Sequence, residues 1–158
     1  MEGYIDSSKV SLAEVETLLS EEYTFKPLFH GLFAKVSLKT KTDKDFIITS
    51  KKISVSNRNL VETSSNDFNK LYNVYTKNEV STGALFNRKT IDLLCEYATV
   101  TSSLLDIKVS GKNIYFRFGI GPLFDGLIFS SDEKKRLYIF SLICMIIKNV
   151  NDSIINIK

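Results

Sequence analysis

A nearly unbroken apolar run close to the C-terminus constrains this chain more than any other feature. Residues 137–147 read LYIFSLICMII, in which Ser141 is the one clearly polar residue. As a helix, the run would be about 16 Å long at about 1.5 Å per residue, roughly half of a bilayer's hydrocarbon core. Basic residues flank it at 134–136 and at Lys148. We therefore expect a helix packed into a sheet and covered on nearly all sides, not a membrane span.

An alternative for this helix is that one apolar stripe between Leu137 and Ile147 docks on a second copy of the chain and forms a homo-oligomer. The start of the helix is predicted by Ser130–Glu133, which has the spacing of a capping box. Its acidic residues would lie near the positive end of the helix dipole.

The first half of the chain is typical of β-strands. Short or alternating apolar patterns predict strands at residues 3–5, 9–19, 32–38 and 46–48. For residues 12–19 a helix is the alternative, because Ser11 and Glu14 also have capping-box spacing.

Phe33 interrupts the clearest of these alternating patterns. One face of the 32–38 strand is apolar throughout, and the other carries Lys35 and Ser37 together with Phe33. Because a strand with apolar residues on both faces is usually buried on both, we expect cover on both sides at this end.

Helices enter in the second half. A strand-like run at 71–75 leads across a polar corner to a helix that Asn87 can cap. The apolar residues of that helix recur at helical spacing, at Ile91, Leu94, Cys95 and Ala98. Alternating runs at 105–109 and 114–118, joined by a Gly-containing connector, predict a hairpin.

These patterns together predict one soluble α+β domain over residues 1–158. We expect a mainly antiparallel sheet or partly open barrel of about six to seven strands. A helix should precede the last hairpin, and a long helix should close the chain.

Charge predicts one candidate surface. Lys and Arg number 21 against 18 Asp and Glu, an excess too small for a dedicated nucleic-acid binder. The lysines concentrate between residues 31 and 60, after an acidic segment at 1–30. The simplest interpretation is that two neighbouring segments offset each other's charge. The alternative is an anion-binding or lipid-binding surface formed by Lys39, Lys41, Lys44, Lys51 and Lys52.

No arrangement of residues predicts catalysis, a cofactor or a metal. His30 is the single histidine, and Cys95 and Cys144 lie apart in apolar patterns, typical of reduced structural cysteines. The Gly119–Pro122 segment lacks the Lys-Ser/Thr of a phosphate loop. Tyr115–Phe118 lacks the flanking glycines of an RNA-binding strand, so core packing is the simpler interpretation. An enzyme with His30 as acid or base remains the last alternative.

Several segments resemble an uncharacterised bacterial family, domain-of-unknown-function family 3137. The opening residues 2–15 resemble its entry hairpin, and Phe29–Phe33 is similar to its aromatic-Lys-Gly-Leu-Phe element, with His30 at the usually basic position. Its central signature resembles Phe68, Tyr72, Val74, Tyr75, Glu79 and Val80. The chain departs from the family at Ser81–Gly83 and Phe86–Arg88, where the family has a Thr-Pro helix start.

The resemblance implies a cellular location but no activity. Members of that family typically carry N-terminal membrane-spanning helices ahead of this domain, and no catalytic residues are recognised for it. It therefore implies either the extramembrane part of a longer protein or a shortened member. We expect a non-catalytic interaction domain at the cytoplasmic face of a bacterial membrane, with an unknown protein or an anionic membrane surface as partner. A lipid-headgroup domain similar to the pleckstrin-homology type is the alternative.

Overall fold

The computed structural model describes residues 1–6, 8–21, 24–77, 86–121 and 133–155; the side chains of residues 18–21 and 24–28 lie outside this description. Within these ranges the chain forms eight strands and three helices. In chain order they are β1 (Glu2–Ile5), β2 (Ser8–Glu21), β3 (Thr24–Ser37), β4 (Phe46–Ser50), β5 (Asn59–Val61), α1 (Asn66–Leu71), β6 (Tyr72–Thr76), α2 (Arg88–Thr101), β7 (Leu105–Ser110), β8 (Asn113–Phe118) and α3 (Glu133–Ile155).

The strands form a single open sheet in the order β1-β2-β3-β8-β7-β4-β6-β5, and every neighbouring pair is antiparallel. The predicted α+β class and antiparallel sheet are confirmed. β1 and β5 form the two edges, so the sheet does not close into a barrel. The sequence pattern missed β5, because three residues are too few to show an alternation.

One face of the sheet is covered by helices and contains the core. In β7 and β8 every second side chain is fully buried, as strand alternation requires, at Leu105, Ile107, Val109, Ile114, Phe116 and Phe118. α2 and α3 contribute the other half of this core. α2 begins as predicted after Asn87, whose side-chain oxygen accepts a hydrogen bond from the Thr90 backbone N–H at 2.9 Å.

α3 is the core helix predicted from the apolar run, but its cover is less complete than expected. The positions buried against the rest of the fold are Ile139, Leu142, Ile143, Ile146, Ile147, Val150, Asn151, Ser153 and Ile154. Leu137, Tyr138 and Met145 are exposed, because α2 and the sheet take only one side of the helix. By length and composition α3 could cross a membrane. A core helix meets the same criteria. The predicted cap at Ser130–Asp132 lies outside the described residues.

The polar segment before β6 contains a helix that the sequence pattern did not predict, whereas most of the polar corner predicted after β6 lies outside the described residues. Leu71, expected in a strand, is the last residue of α1. Ser65 caps α1 by accepting a hydrogen bond from the Phe68 backbone N–H at 3.4 Å. The buried Tyr72 hydroxyl donates to the Leu94 carbonyl of α2 at 3.3 Å, and this hydrogen bond holds β6 and α2 together.

We predict that Gly31→Ala destabilises the fold by at least about 2 kcal/mol. A Cβ at Gly31 would overlap the carbonyl oxygen of Phe118 on the neighbouring strand, so β3 and β8 would have to separate. Urea unfolding followed by circular dichroism measures the change. The matched control is Gly3→Ala in β1, where a Cβ meets nothing within 4 Å. Equal stability of wild type and Gly31→Ala would contradict the prediction.

A second prediction concerns Asn151, which is completely buried. Neither of its side-chain amide atoms has a hydrogen-bond partner in the described part of the chain. Because an unsatisfied buried polar group costs about 1–3 kcal/mol, Asn151→Leu should raise the melting temperature. Asn149→Leu, at a partly exposed position whose amide donates to the Met145 carbonyl, should not. A lower melting temperature for Asn151→Leu would mean that ordered water satisfies this amide.

Candidate functional site

The sheet face opposite α2 and α3, here called the open face, carries two rows of side chains that run across the strands. The registers align Lys35, Tyr115, Lys108, Ile47 and Tyr75 in the first row, from β3 to β6. In the second row they align Phe33, Arg117 and Asp106, and Thr49 extends this row by a hydrogen bond to Asp106. Neighbouring strands thus place aromatic, aliphatic and basic side chains next to each other.

The open face is concave and forms a groove of about 490 Å³. Its lining residues come from β3, β4, β7, β8 and the segment after β4, and are Phe33, Ile47, Thr49, Ile53, Val55, Asp106, Ile107, Lys108, Tyr115, Phe116 and Arg117. The segment after β4 forms one wall. The Tyr75 hydroxyl anchors this wall by donating a hydrogen bond to the Ile53 carbonyl at 3.1 Å.

The polar groups in the groove are bound to one another. The Thr49 hydroxyl donates to Asp106 Oδ1 at 2.5 Å, and Arg117 Nε donates to Asp106 Oδ2 at 2.6 Å. A second guanidinium nitrogen of Arg117 also contacts Asp106 Oδ2, and the guanidinium lies 5.3 Å from the ring centre of Phe29. Asp106 is therefore neutralised inside the groove, and Arg117 is held in one orientation.

Phe33 shows why the sequence pattern did not predict the groove. The sequence pattern predicted cover on both faces at this end of β3, which is wrong, because α2 and α3 lie on the same side of the sheet. Phe33 is instead 38% exposed on the open face, and Ile53 in the opposite wall is 41% exposed. An apolar residue among the polar ones of a half-buried strand was the available signal. Register and the fold of the 51–55 segment supplied the rest.

The side chains of β8 alternate between the two faces of the sheet, as strand geometry requires. Phe116 and Phe118 are buried in the core, and their rings lie 5.9 Å apart in a stacked arrangement. Tyr115 and Arg117 lie on the open face. The prediction that one side of this aromatic strand enters the core is confirmed.

The five predicted lysines are distributed over two ends of the sheet. Lys39, Lys41 and Lys44 lie in the segment between β3 and β4, and Lys51 and Lys52 follow β4. The five residues of β4 separate the two groups by about 16 Å. Lys51 donates to the Asn69 carbonyl at 2.9 Å. The structure thus does not bring the five lysines together, and their role in anion binding stays a prediction.

Lys44 differs from the other four lysines because its ammonium group is hydrogen-bonded to a helix. Its ammonium group donates to the Ser153 carbonyl in the last turn of α3 at 2.9 Å. This contact places a cation at the negative end of the helix dipole. Burial lowers the pKa of Lys44. Lys44 is therefore best explained as a residue that fixes the end of α3 against the 38–45 segment.

Asp45, at the end of the same segment, forms contacts with three other side chains. It forms an ion pair with Arg58 at 2.6 Å and a second with Lys77 at 3.5 Å, and it accepts a hydrogen bond from the Ser110 hydroxyl at 3.4 Å. Burial alone would raise the pKa of Asp45, but the hydrogen bond and charge of Arg58, with the charge of Lys77, outweigh it and lower the pKa.

His30 lies on the helix side of the sheet, since it shares a face with the buried Leu32. Its Nε2 is 3.9 Å from a Glu14 carboxylate oxygen, and its Nδ1 is 3.9 Å from one of Glu16. These contacts are too long for hydrogen bonds. The groove does not include His30. The histidine thus has carboxylates beside it, but it takes no part in the open face.

The apolar stripe predicted as an oligomer surface lies at the surface of the helical layer. Leu137, Tyr138 and Met145 are exposed there, and the Tyr138 hydroxyl donates to the Glu96 carboxylate of α2. Cys95 and Cys144 are partly buried and free, and burial raises the pKa of both thiols. The oligomeric state itself stays a prediction.

The lowered pKa of Asp45 predicts a pH-dependent stability. A carboxylate whose folded-state pKa is depressed stabilises the fold above its ordinary pKa, and this contribution disappears as the pH falls through the lowered folded value. Asp45→Asn should therefore be less stable than wild type at pH 7, and the two should converge as the pH is lowered below about 4. Urea unfolding over this pH range measures the difference.

The control for this experiment is Asp43→Asn, an exposed neighbour in the same segment. It should leave the free energy of unfolding nearly unchanged at every pH. A gap between wild type and Asp45→Asn that stays constant down to acid pH would show that the charge of Asp45 is not what stabilises this segment.

Comparison with known proteins places the chain among proteins without an assigned activity. A family model with the description "Protein of unknown function (DUF3137)" matches residues 27–152, from β3 almost to the end of α3. No curated protein and no solved structure matches the chain. The match includes every described residue that lines the groove.

Proposed function

We propose that this chain, which belongs to the DUF3137 family of proteins of unknown function, is a non-catalytic interaction domain that binds a partner protein through its open face. The observation that carries the proposal is the apolar groove in the middle of a sheet whose helices all lie on the other side, as far as the chain is described. Exposed apolar patches with a polar border are typical of interaction sites.

The dimensions of the groove support this function. A volume of about 490 Å³ is in the range of about 300–1,000 Å³ that is common for binding clefts. Phe33 and Ile53 stand exposed at opposite ends of the lining, with Tyr115 and Ile47 between them. Burial of such side chains by a partner contributes about 25 cal/mol per Å² of apolar surface.

The chemistry of the lining supports a non-catalytic role. The described residues of the lining include no histidine, cysteine or glutamate, and the one carboxylate among them, Asp106, is bound by Thr49 and Arg117. A general base needs a free lone pair directed at the substrate. Asp106 instead directs both oxygens at neighbouring side chains, which favours a role in shaping the groove.

For the cellular address, we propose the cytoplasmic face of a bacterial membrane, with helices ahead of the domain as a tether. The support is the architecture implied by the family resemblance. The competing proposal, a reader of anionic headgroups, has less support. Lys44 is bound to α3, and the remaining lysines lie at two ends of β4.

Site-specific photocrosslinking tests the function. A benzophenone amino acid in place of Tyr115 on the open face should form an adduct with one partner protein in cells that express the complete gene. In place of Tyr138 on α3, the same amino acid should not. Ile53→Arg, which puts a charge into the groove wall, should abolish the adduct at position 115. Fractionation of the same cells should place that adduct in the membrane pellet.

Three outcomes would count against the proposal. A folded protein with no adduct at position 115 would remove the open face as the interaction site. Adducts that survive Ile53→Arg would show that the groove does not bind the partner. Recovery of all adducts in the soluble fraction would contradict the membrane tether alone.

A further inference from the structure

We propose that the groove binds an extended acidic segment of the partner and inserts one aromatic or large aliphatic side chain of that segment beside Tyr115. This inference rests on the proposed function and specifies its ligand. It follows from the arrangement of unpaired positive charge around an apolar floor on the open face.

The positive charge comes from lysines on both sides of Tyr115 in the same cross-strand row. Lys35 lies on β3 and Lys108 on β7, each directly opposite Tyr115 on β8. Lys108 is exposed, and neither lysine forms an ion pair with a described residue. The Lys35 ammonium lies 6.0 Å from the ring centre of Tyr115. Two cations thus flank one aromatic ring.

The negative charge of the groove does not offset these lysines. Asp106 is the one acidic residue in the part of the lining that the structure describes, and it is already neutralised by Arg117. Glu2 lies at the edge of the same face but pairs with Lys9 at 3.0 Å. The groove therefore has a net positive charge, and a segment with carboxylates is electrostatically complementary to it.

The apolar part of the ligand has a defined place. Tyr115 and Ile47 of the first row belong to the floor, and Phe33 and Ile53 stand at opposite ends of the lining. The ring centres of Phe33 and Tyr115 are 6.3 Å apart, within the range in which aromatic rings attract each other. A further ring or branched aliphatic side chain can extend this cluster.

The positive charge also continues along one side of the groove, towards the turn between β7 and β8. The turn between β7 and β8 is held against the start of the 38–45 segment by the hydrogen bond from Leu38 N–H to the Lys112 carbonyl at 2.8 Å. This contact brings the exposed Lys39 and Lys112 close together in the chain trace. Acidic side chains of the bound segment that point to this side of the groove would meet them.

An extended peptide segment fits the width of the groove better than the flat surface of a membrane does. The four strands β3, β8, β7 and β4 cover about 14 Å at about 4.8 Å spacing, a distance that about five extended residues bridge. A planar membrane surface would contact the rim lysines but would not fill a concave apolar floor. The concavity therefore favours a peptide over anionic lipid.

Peptide selection tests the inference without knowledge of the natural partner. A displayed library of random peptides of about ten residues, long enough to cross the groove with flanks, is selected against the wild-type chain. The enriched peptides should combine Asp or Glu with an aromatic or large aliphatic residue. In fluorescence anisotropy, the Lys35→Glu/Lys108→Glu variant should bind one such peptide at least about tenfold more weakly, which is about 1.4 kcal/mol.

The matched control is Lys134→Glu/Lys135→Glu, the same charge change at two exposed positions on α3. It should bind the peptide within about twofold of wild type, which is about 0.4 kcal/mol. Circular dichroism checks that each variant is folded. Phe33→Ser should weaken binding without changing the net charge, which separates the apolar contribution from the electrostatic one.

The inference is overturned if the enriched peptides show no excess of acidic residues, or if the double charge reversal on the open face leaves their binding unchanged. It is also overturned if no peptide is enriched while phosphatidylserine vesicles, but not phosphatidylcholine vesicles, sediment the wild type. A photocrosslinked partner at position 115 together with any of these results would leave the proposed function standing and remove only its acidic ligand.

Discussion

The burial of α3 against one face of the sheet is the interaction on which the rest of this structure depends. α2 and α3 together cover β3, β8, β7, β4 and β6 on that face, where the alternate strand residues are almost completely inaccessible. Removal of this surface from water is the main stabilising contribution, at about 25 cal/mol per Å² of apolar area. Because both helices lie on the same side, no described helix covers the opposite face of the eight-stranded sheet.

On a sheet face without helices, side chains must find their packing and hydrogen-bond partners on the face itself. The open face provides these partners with two devices. The segment after β4 folds over the sheet and is fixed by the Tyr75 hydroxyl. Asp106, Arg117 and Thr49 form a hydrogen-bonded group on adjacent strands. Each device fixes a wall or a side-chain orientation, so the concavity is built into the free chain. Such preorganisation lowers the entropy cost of binding.

The sequence predicts the covered side of this protein far better than the open side. Alternation located β7 and β8, helical spacing located α2, and Asn87 marked its start, because these patterns record burial on one side of a local element. The groove depends on neighbours that lie far apart in the chain: Phe33 and Arg117 meet through the β3–β8 register, and no local pattern encodes that pairing. The same reason explains the five lysines. Their closeness in sequence did not reveal that β4 separates them or that α3 occupies Lys44.

The residues that carry the family resemblance lie on both faces of the sheet, because Phe33 and Tyr75 belong to the open face. Tyr72 and Val74 of the family signature are buried on the helix side, and Tyr72 bonds α2 directly. On β8, Phe116 and Phe118 are in the core, whereas Tyr115 and Arg117 lie on the open face. A strand can change the side chains of one face while it keeps those of the other, because successive residues point in opposite directions. Family membership alone therefore does not identify the ligand, which must be found from the open face.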